Sequence, residues 1–301
     1  MSPSVISLLR VPLGLGGARP GAELGPKSLI DAGLIRQLNH IHVHVSDEGS
    51  ISIDSSTDSS APRNSKLKHL ETIAQVNARL RDKIDSLMEK CTFPLILGGD
   101  HSIAIGTIAG LTRHYQRLGV IWFDAHGDLN TPDTSPSGNI HGMSLAVSLD
   151  QGHPLLTELR KGCHPLDPAK VVIVGARELD QGEREMIKRL GITCFTMHEI
   201  DRYGMAAIME KTLEIVSDGT DGVHLSFDID SLDPYEAPGT GTTVRGGATY
   251  REAHFALEMM FEANLLTSAE FVEVNPLLDH NKQTVKLANE LICSALGKRI
   301  L

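Results

Sequence analysis

Ile121-Trp122-Phe123-Asp124-Ala125-His126-Gly127-Asp128-Leu129-Asn130 opens as a short apolar run and ends in acid, imidazole and acid at alternate positions. In an extended backbone, residues i, i+2 and i+4 point to one side. Asp124, His126 and Asp128 are therefore expected to converge on one point. Two anionic oxygens and an imidazole nitrogen suit a hard-to-borderline divalent metal. A strand end whose polar residues simply meet solvent would carry the same letters, so the neighbouring segments decide between the two.

Three other segments repeat the pattern. Residues 93–97 lead into Gly98-Gly-Asp-His-Ser102, residues 222–227 into Asp228-Ile-Asp-Ser-Leu-Asp-Pro234, and residues 269–272 into Glu273-Val-Asn-Pro276. Residues 5–9, 171–174 and 192–195 read as further short strands. Residues 41–45 alternate as a strand with His42 and His44 on one solvated face. Apolar spacing of three to four predicts helices over 65–90, 102–117, 180–190, 204–217, 250–264 and 281–296. Thr249 and Glu252 form a capping box, and Gly191 sits where a helix C-cap is expected. Strands alternating with helices predict an α/β fold, a three-layer α/β/α sandwich around a mainly parallel sheet. Ligands then bind outside the carboxyl ends of the strands, where all four polar endings fall. No linker divides the chain, so residues 1–301 read as one domain.

Two stretches lie outside this rhythm. The glycine- and proline-rich residues 14–26 read as a lip over a ligand or as a plain surface turn, and no Gly-Lys-Ser/Thr closes them into a phosphate loop. Residues 46–65, dense in Ser, Asp and Gly, are expected to form a mobile surface excursion.

Composition excludes several function classes. A formal net charge of −10 provides no basic field to hold nucleic acid or an anionic membrane. No apolar run approaches the ~18 residues of a membrane span, and residues 1–10 lack the features of a signal peptide. The four cysteines, Cys91, Cys163, Cys194 and Cys293, are far apart and form no Cys-x-x-Cys. They are expected to be reduced and mostly buried in a cytoplasmic chain.

His101, Asp124, His126, Asp128, Asp228 and Asp230 together offer two imidazoles and four carboxylates at neighbouring strand ends. Four carboxylates in one cleft repel strongly unless compensated, and two divalent cations would balance them. Six protein ligands exceed what one mononuclear site needs while leaving room for chemistry, so a dinuclear site with shared carboxylates is expected. The oxygen-rich, thiolate-free set suits Mn2+ ahead of Zn2+. Two such metals can lower the pKa of a shared water enough to make hydroxide near neutral pH. A hydrolase is expected, the alternative being a non-catalytic cluster of buried acids.

Gly98-Gly-Asp-His-Ser102, Asp124-Ala-His-Gly-Asp128, Ser226-Phe-Asp-Ile-Asp-Ser-Leu-Asp-Pro234 and Glu273-Val-Asn-Pro276 resemble the signature segments of the ureohydrolases. Within that family the arginases of bacteria are most similar, through Asn130-Thr131, Ser137-Gly-Asn-Ile-His-Gly142, Gly175-Ala-Arg-Glu-Leu-Asp180 and residues 241–252. The likeness runs from about Val5 to the C-terminus. It implies one metal held by His101, Asp124, Asp128 and Asp228, and a second by His126, Asp124, Asp228 and Asp230. It further implies that a bridging hydroxide attacks the guanidinium carbon of L-arginine, giving L-ornithine and urea. Asp128 would position the hydroxide and take up its proton, and His141 would shuttle protons to the leaving amine.

Glu273 matches the carboxylate that orients the guanidinium, with Thr242 as its neighbour. Asn130 and Ser137 match positions that bind the α-carboxylate, and Asp180 matches the group that meets the α-ammonium, with Glu183 reaching it through water. Agmatine would leave those donors unpaired, so arginine ranks ahead of agmatine and guanidinobutyrate; a catalytically silent metal-binding relative is the remaining alternative. The resemblance also implies a homo-oligomer, trimer or hexamer. Ser231, Thr243 and Arg245 depart from the usual glycine, proline and apolar residue of the arginases. None of the three is an expected metal ligand.

Overall fold

Alternate residues of the run before Asp124 face opposite ways: Ile121 and Phe123 pack into one hydrophobic core, Val120 and Trp122 into another. This two-sided burial is what a parallel sheet covered on both faces requires. The computed structural model describes residues 5–53 and 66–300. In chain order it comprises β1 (Ile6–Val11), α1 (Gly25–Asp31), α2 (Leu34–His40), β2 (Val45–Ser50), α3 (Leu70–Met88), β3 (Phe93–Gly98), α4 (Ala104–Leu111) and β4 (Leu118–Phe123). Then follow α5 (Ser144–Ser148), α6 (Pro154–Thr157), β5 (Val171–Ala176), α7 (Gln181–Leu190), β6 (Thr193–Thr196), α8 (Met197–Ser217), β7 (Gly222–Asp228), α9 (Tyr250–Ala263), β8 (Leu266–Val272) and α10 (Gln283–Ala295).

The strands form one eight-stranded sheet in the order β2-β1-β3-β8-β7-β4-β5-β6, and every pairing among the described residues is parallel. Leu29 of α1, Leu38 of α2, Ile208 of α8, Leu257 of α9 and Leu291 of α10 cover one face. Ile73 and Leu80 of α3, Ile108 of α4, Leu145 of α5 and Met186 of α7 cover the other. The expected three-layer architecture is therefore present. No described helix is long and apolar enough to cross a membrane.

Several boundaries differ from the sequence reading, each for a local reason. The second strand is Val45–Ser50, not 41–45, because His42 adopts a left-handed φ of 61° and turns the chain after α2. Part of the segment expected as a surface excursion is thus strand; residues 54–65 of it lie outside the described residues. His42 and His44 are exposed, as expected of a solvated pair. The helix expected over 102–117 ends at Leu111, where the Thr112 hydroxyl bonds back to the Ile108 carbonyl at 2.7 Å. The helix expected from residue 204 begins at Met197 under a Thr196–Glu199 capping box and kinks at Gly204. The cysteines are unpaired, but only Cys293 is buried, while Cys91 is exposed; mostly buried is therefore corrected to one of four.

Candidate metal centre and substrate cleft

Four contiguous strands, β3-β8-β7-β4, each end in residues of one cluster. β3 delivers His101 through a 3-10 turn capped by Asp100, and β7 delivers Asp228, whose side chain caps the turn carrying Asp230 with a 2.8 Å bond from the Asp230 N–H. β8 delivers Glu273, and the segment after β4 delivers Asp124, His126 and Asp128. These last three do converge, but not along an extended strand. The chain bends directly after Phe123: Asp124 Oδ1 accepts the His126 N–H at 2.8 Å, and Asp128 sits at a left-handed φ of 50°. The strand alternation thus predicted the right meeting for a reason the backbone replaces.

Two overlapping groups could each hold a metal ion: His101, Asp124 and Asp228, and Asp124, His126 and Asp230, with Asp124 common to both. Asp124 Oδ2 and Asp128 Oδ2 stand 3.1 Å from His101 Nδ1, and Asp228 Oδ2 stands 3.2 Å away. His126 Nδ1 lies 3.3 Å from Asp124 Oδ1 and 3.2 Å from Asp230 Oδ2. Yet His101 Nδ1 is buried without a hydrogen bond. Its other nitrogen explains this: Nε2 meets Ser226 Oγ at 2.8 Å, and the Ser226 hydroxyl donates to Glu270 Oε1 at 2.7 Å. With Ser226's proton committed to Glu270, Nε2–H must donate, so in the neutral ring Nδ1 turns a lone pair toward three carboxylates. Such a gathering of electron-rich atoms fits a divalent cation.

The electrostatics point the same way. Burial, then Asp230 and Asp124, push Asp228 well above the usual carboxylate range, and burial and Asp124 raise Asp128. Burial would lower His101, but Asp124, Asp128 and Asp228 more than reverse it. Burial opposes the rise of His126 too, and Asp230 and Asp124 outweigh it. Burial would raise Asp124, yet the two imidazoles hold it far below its ordinary value. The cluster demands positive charge. Further shaping comes from Trp122, which stacks on His101 at 4.1 Å and donates from Nε1 to Asp124 Oδ2 at 3.0 Å.

Above the cluster opens a cleft of about 480 Å³, lined among others by His126, Asp128, Asn130, Ser137, His141, Asp180, Glu183, Thr242 and Glu273. His101, Asp124 and Asp230 lie beneath it, so every site residue expected from the sequence is gathered in one place. Glu273 Oε1 accepts the His101 backbone N–H at 3.0 Å and faces His141 Nδ1 at 2.9 Å. Burial would lower His141, but Glu273 and then Asp128 push it up to about 9. Asn130 Nδ2 donates to Asp180 Oδ2 at 2.8 Å, and the Thr242 hydroxyl donates to Asp230 Oδ2 at 2.8 Å. Glu183 is otherwise engaged. Its oxygens accept the backbone N–H groups of Leu129 at 3.1 Å and Asp180 at 2.8 Å, the latter closing the capping box of α7. The lip over 14–26 is the ligand-facing kind: Gly17, Ala18 and Arg19 line the cleft, and Gly16 N–H is tied to Asp100 Oδ2 at 2.7 Å.

Other contributors escaped the sequence reading. Arg177 donates to the backbone carbonyls of Asp230, Ser231, Leu232 and Val244, clamping the Asp230 turn to the Thr242 loop. Its position inside Gly175-Ala-Arg-Glu-Leu-Asp180 was visible, but guanidinium-to-carbonyl pairing leaves no pattern in sequence. His224, Ser226 and Asp228 alternate on one face of β7, and that polar period of two was the available signal for Ser226. Of the three departures, Ser231 is buried and donates to the Asp228 carbonyl at 2.6 Å, Thr243 lines the cleft, and Arg245 is exposed.

Residues 4–297 match the model of the Arginase family. The chain is 52% identical to an arginase of Bacillus subtilis (strain 168) and 49% identical to one of Bacillus caldovelox, each time over 98% of this chain and 99% of the relative. The native structure of the Bacillus caldovelox arginase at pH 5.6 superposes with a TM-score of 0.95 at 50% identity, covering 100% of both chains.

Proposed function

The chain belongs to the arginase family, and on that premise we propose that it hydrolyses the guanidinium group of L-arginine to L-ornithine and urea. The observation that carries this reading is His101 Nδ1, buried without a hydrogen bond and facing three carboxylates, beside a cleft lined by Glu273 and by the Asn130–Asp180 pair. His101, Asp124, Asp128 and Asp228 would hold one Mn2+, and His126, Asp124, Asp228 and Asp230 a second. Bound there, the two ions would supply a nucleophilic hydroxide by lowering the pKa of a shared water.

The chain's own groups do the rest. Glu273 pairs with the substrate guanidinium, since Oε1 is already engaged by His101 N–H and His141 while Oε2 lies on the side of Gly241. Thr242 beside it fixes the far edge of that subsite. Asp128, 3.2 Å from a Ser144 hydroxyl that lies closer, at 2.8 Å, to the His141 carbonyl, would orient the attacking oxygen and accept its proton. His141 carries a proton at neutral pH by virtue of Glu273 and passes it to the departing amine of ornithine. Asn130 and Ser137 address the α-carboxylate, and Asp180, held by Asn130, the α-ammonium. Glu183, whose oxygens accept the backbone N–H groups of Leu129 and Asp180, fixes the Asp180 backbone and reaches the ammonium through water.

We place the reaction in a single domain of residues 1–301, because the cleft draws on the chain from Gly17 to Glu273. The unpaired cysteines are consistent with a cytoplasmic chain, and the resemblance to the arginases implies a homo-oligomer, trimer or hexamer. Comparing urea release from L-arginine and agmatine tests the substrate assignment. Agmatine leaves the buried Asn130 short of a carboxylate partner, at roughly 1–3 kcal/mol, while the exposed Ser137 can turn to water, so arginine should be preferred roughly tenfold in kcat/KM. Equal use of both would refute the roles of Asn130 and Ser137.

A further inference from the structure

Beneath the metal centre the two central strands carry a polar strip. The register of β7 and β8 sets His224 against Ser268 and Ser226 against Glu270. All four residues are wholly buried. His224 Nδ1 meets Ser268 Oγ at 2.9 Å, and His224 Nε2 faces Glu270 Oε1 at 3.5 Å without bonding it. Glu270 Oε1 accepts the Ser226 hydroxyl, while Glu270 Oε2 has no partner. A buried carboxylate with one oxygen unsatisfied is costly, and the 3.5 Å approach of His224 to Oε1 leaves Oε2 without a hydrogen bond. Its one firm hydrogen bond goes to the hydroxyl that receives His101 Nε2–H.

We propose that Glu270 is a positioning residue for the metal centre: through Ser226 it keeps the His101 proton on Nε2, leaving Nδ1 open toward Asp124, Asp128 and Asp228, and thereby tightens divalent-cation binding. The carboxylate draws the Ser226 proton to itself, which turns the serine oxygen into an acceptor. The imidazole can satisfy that acceptor only in the tautomer that ligates through Nδ1. Such supporting hydrogen bonds orient a ligating histidine and raise its donor strength. The inference rests on the reading of the cluster as a manganese site.

The test is a calorimetric titration of chelated, metal-free protein with Mn2+, alongside the melting temperature of the metal-free form. Glu270→Gln and Ser226→Ala should each weaken Mn2+ binding roughly 10–100-fold, with the metal-free melting temperature not lowered in Glu270→Gln. The double variant should bind no worse than Ser226→Ala alone, because both changes cut the same relay. Ser226→Thr, which keeps the hydroxyl, should restore the affinity. Unchanged affinity in Glu270→Gln, or losses that multiply in the double variant, would overturn the proposal. Should Glu270→Gln fail to fold, Ser226→Ala against Ser226→Thr decides the same point: equal affinities would overturn it. No Mn2+ uptake by the unaltered chain would instead refute the metal reading, and this inference with it.

Discussion

Two carboxylates of the cleft sit in left-handed backbone: Asp128 at φ 50° and Glu273 at φ 64°. Aspartate tolerates that region through its short polar side chain, whereas for glutamate it stores strain, which the 2.7 Å bond from Glu273 N–H to the Gly99 carbonyl holds in place. The positions are thus specified beyond the residue type. Asp128→Ala and His126→Ala should each lower bound manganese and urea release together, by more than the roughly 10–100-fold that loss of a supporting residue costs. Normal manganese content and turnover in either variant, measured by atomic absorption and urea assay, would refute the two-ion arrangement. His141→Asn should behave differently. It removes a proton carrier and no ligand, so both ions stay bound while kcat drops about 10²–10⁴-fold. A variant that loses its metal would assign His141 to the binding set instead.

At the scale of elements, α8 is two helical pieces joined at Gly204, whose φ of 80° and ψ of 151° suit glycine alone. A Cβ there meets nothing within 4 Å, so Gly204→Ala isolates the backbone penalty, about 1–3 kcal/mol by chemical denaturation. No loss would mean that the two pieces can fuse into one straight helix. Glu48 of β2 offers a pH-dependent case. Lys83 of α3 pulls its pKa down to about 2 against the opposing effect of burial, with Lys90 adding to the fall. A depressed carboxylate stabilises fully above its unfolded value of 4.5, and that contribution disappears as pH falls from there toward 2. Glu48→Gln should cost about 1 kcal/mol at pH 7 and flatten the acid dependence of the melting temperature between those limits. An unchanged acid profile would show the ion pairs to be idle. These elements also mark what the sequence revealed. Apolar period, the Thr249–Glu252 capping box and the Gly191 C-cap disclosed α7, α9 and α10 nearly to the residue. β2 escaped because Val45-Ser-Asp-Glu-Gly-Ser50 pairs with β1 through its backbone while its side chains read as loop. Helices α1, α2, α5 and α6 are too short for a periodic signal, and their ends are set by tertiary packing.

Across the whole molecule, the sheet order puts β7 and β8, the last strands made, between β3 and β4, which are consecutive in sequence. Nothing local encodes that insertion, so the sequence foretold a parallel sheet with a site at its carboxyl end but not which strands adjoin. The motifs still assembled the right residues, because the polar ending of each strand must lie at that one edge. Supporting groups such as Arg177 and Glu270 stayed hidden, since their partners are backbone carbonyls or residues on another strand. The site ties four strands together, so its occupant should stabilise the entire fold. Mn2+ at 100 times its dissociation constant should add about 2.7 kcal/mol for one site and raise the melting temperature accordingly. His126→Ala should shrink that shift.

The most direct measurement titrates chelated protein with Mn2+ while recording bound manganese per chain and urea released from L-arginine in the same samples. Urea release that is absent without metal and reaches its maximum only as the second ion binds is the predicted result. Full urea release from metal-free protein, or a maximum reached at one ion with no further binding, would contradict the account.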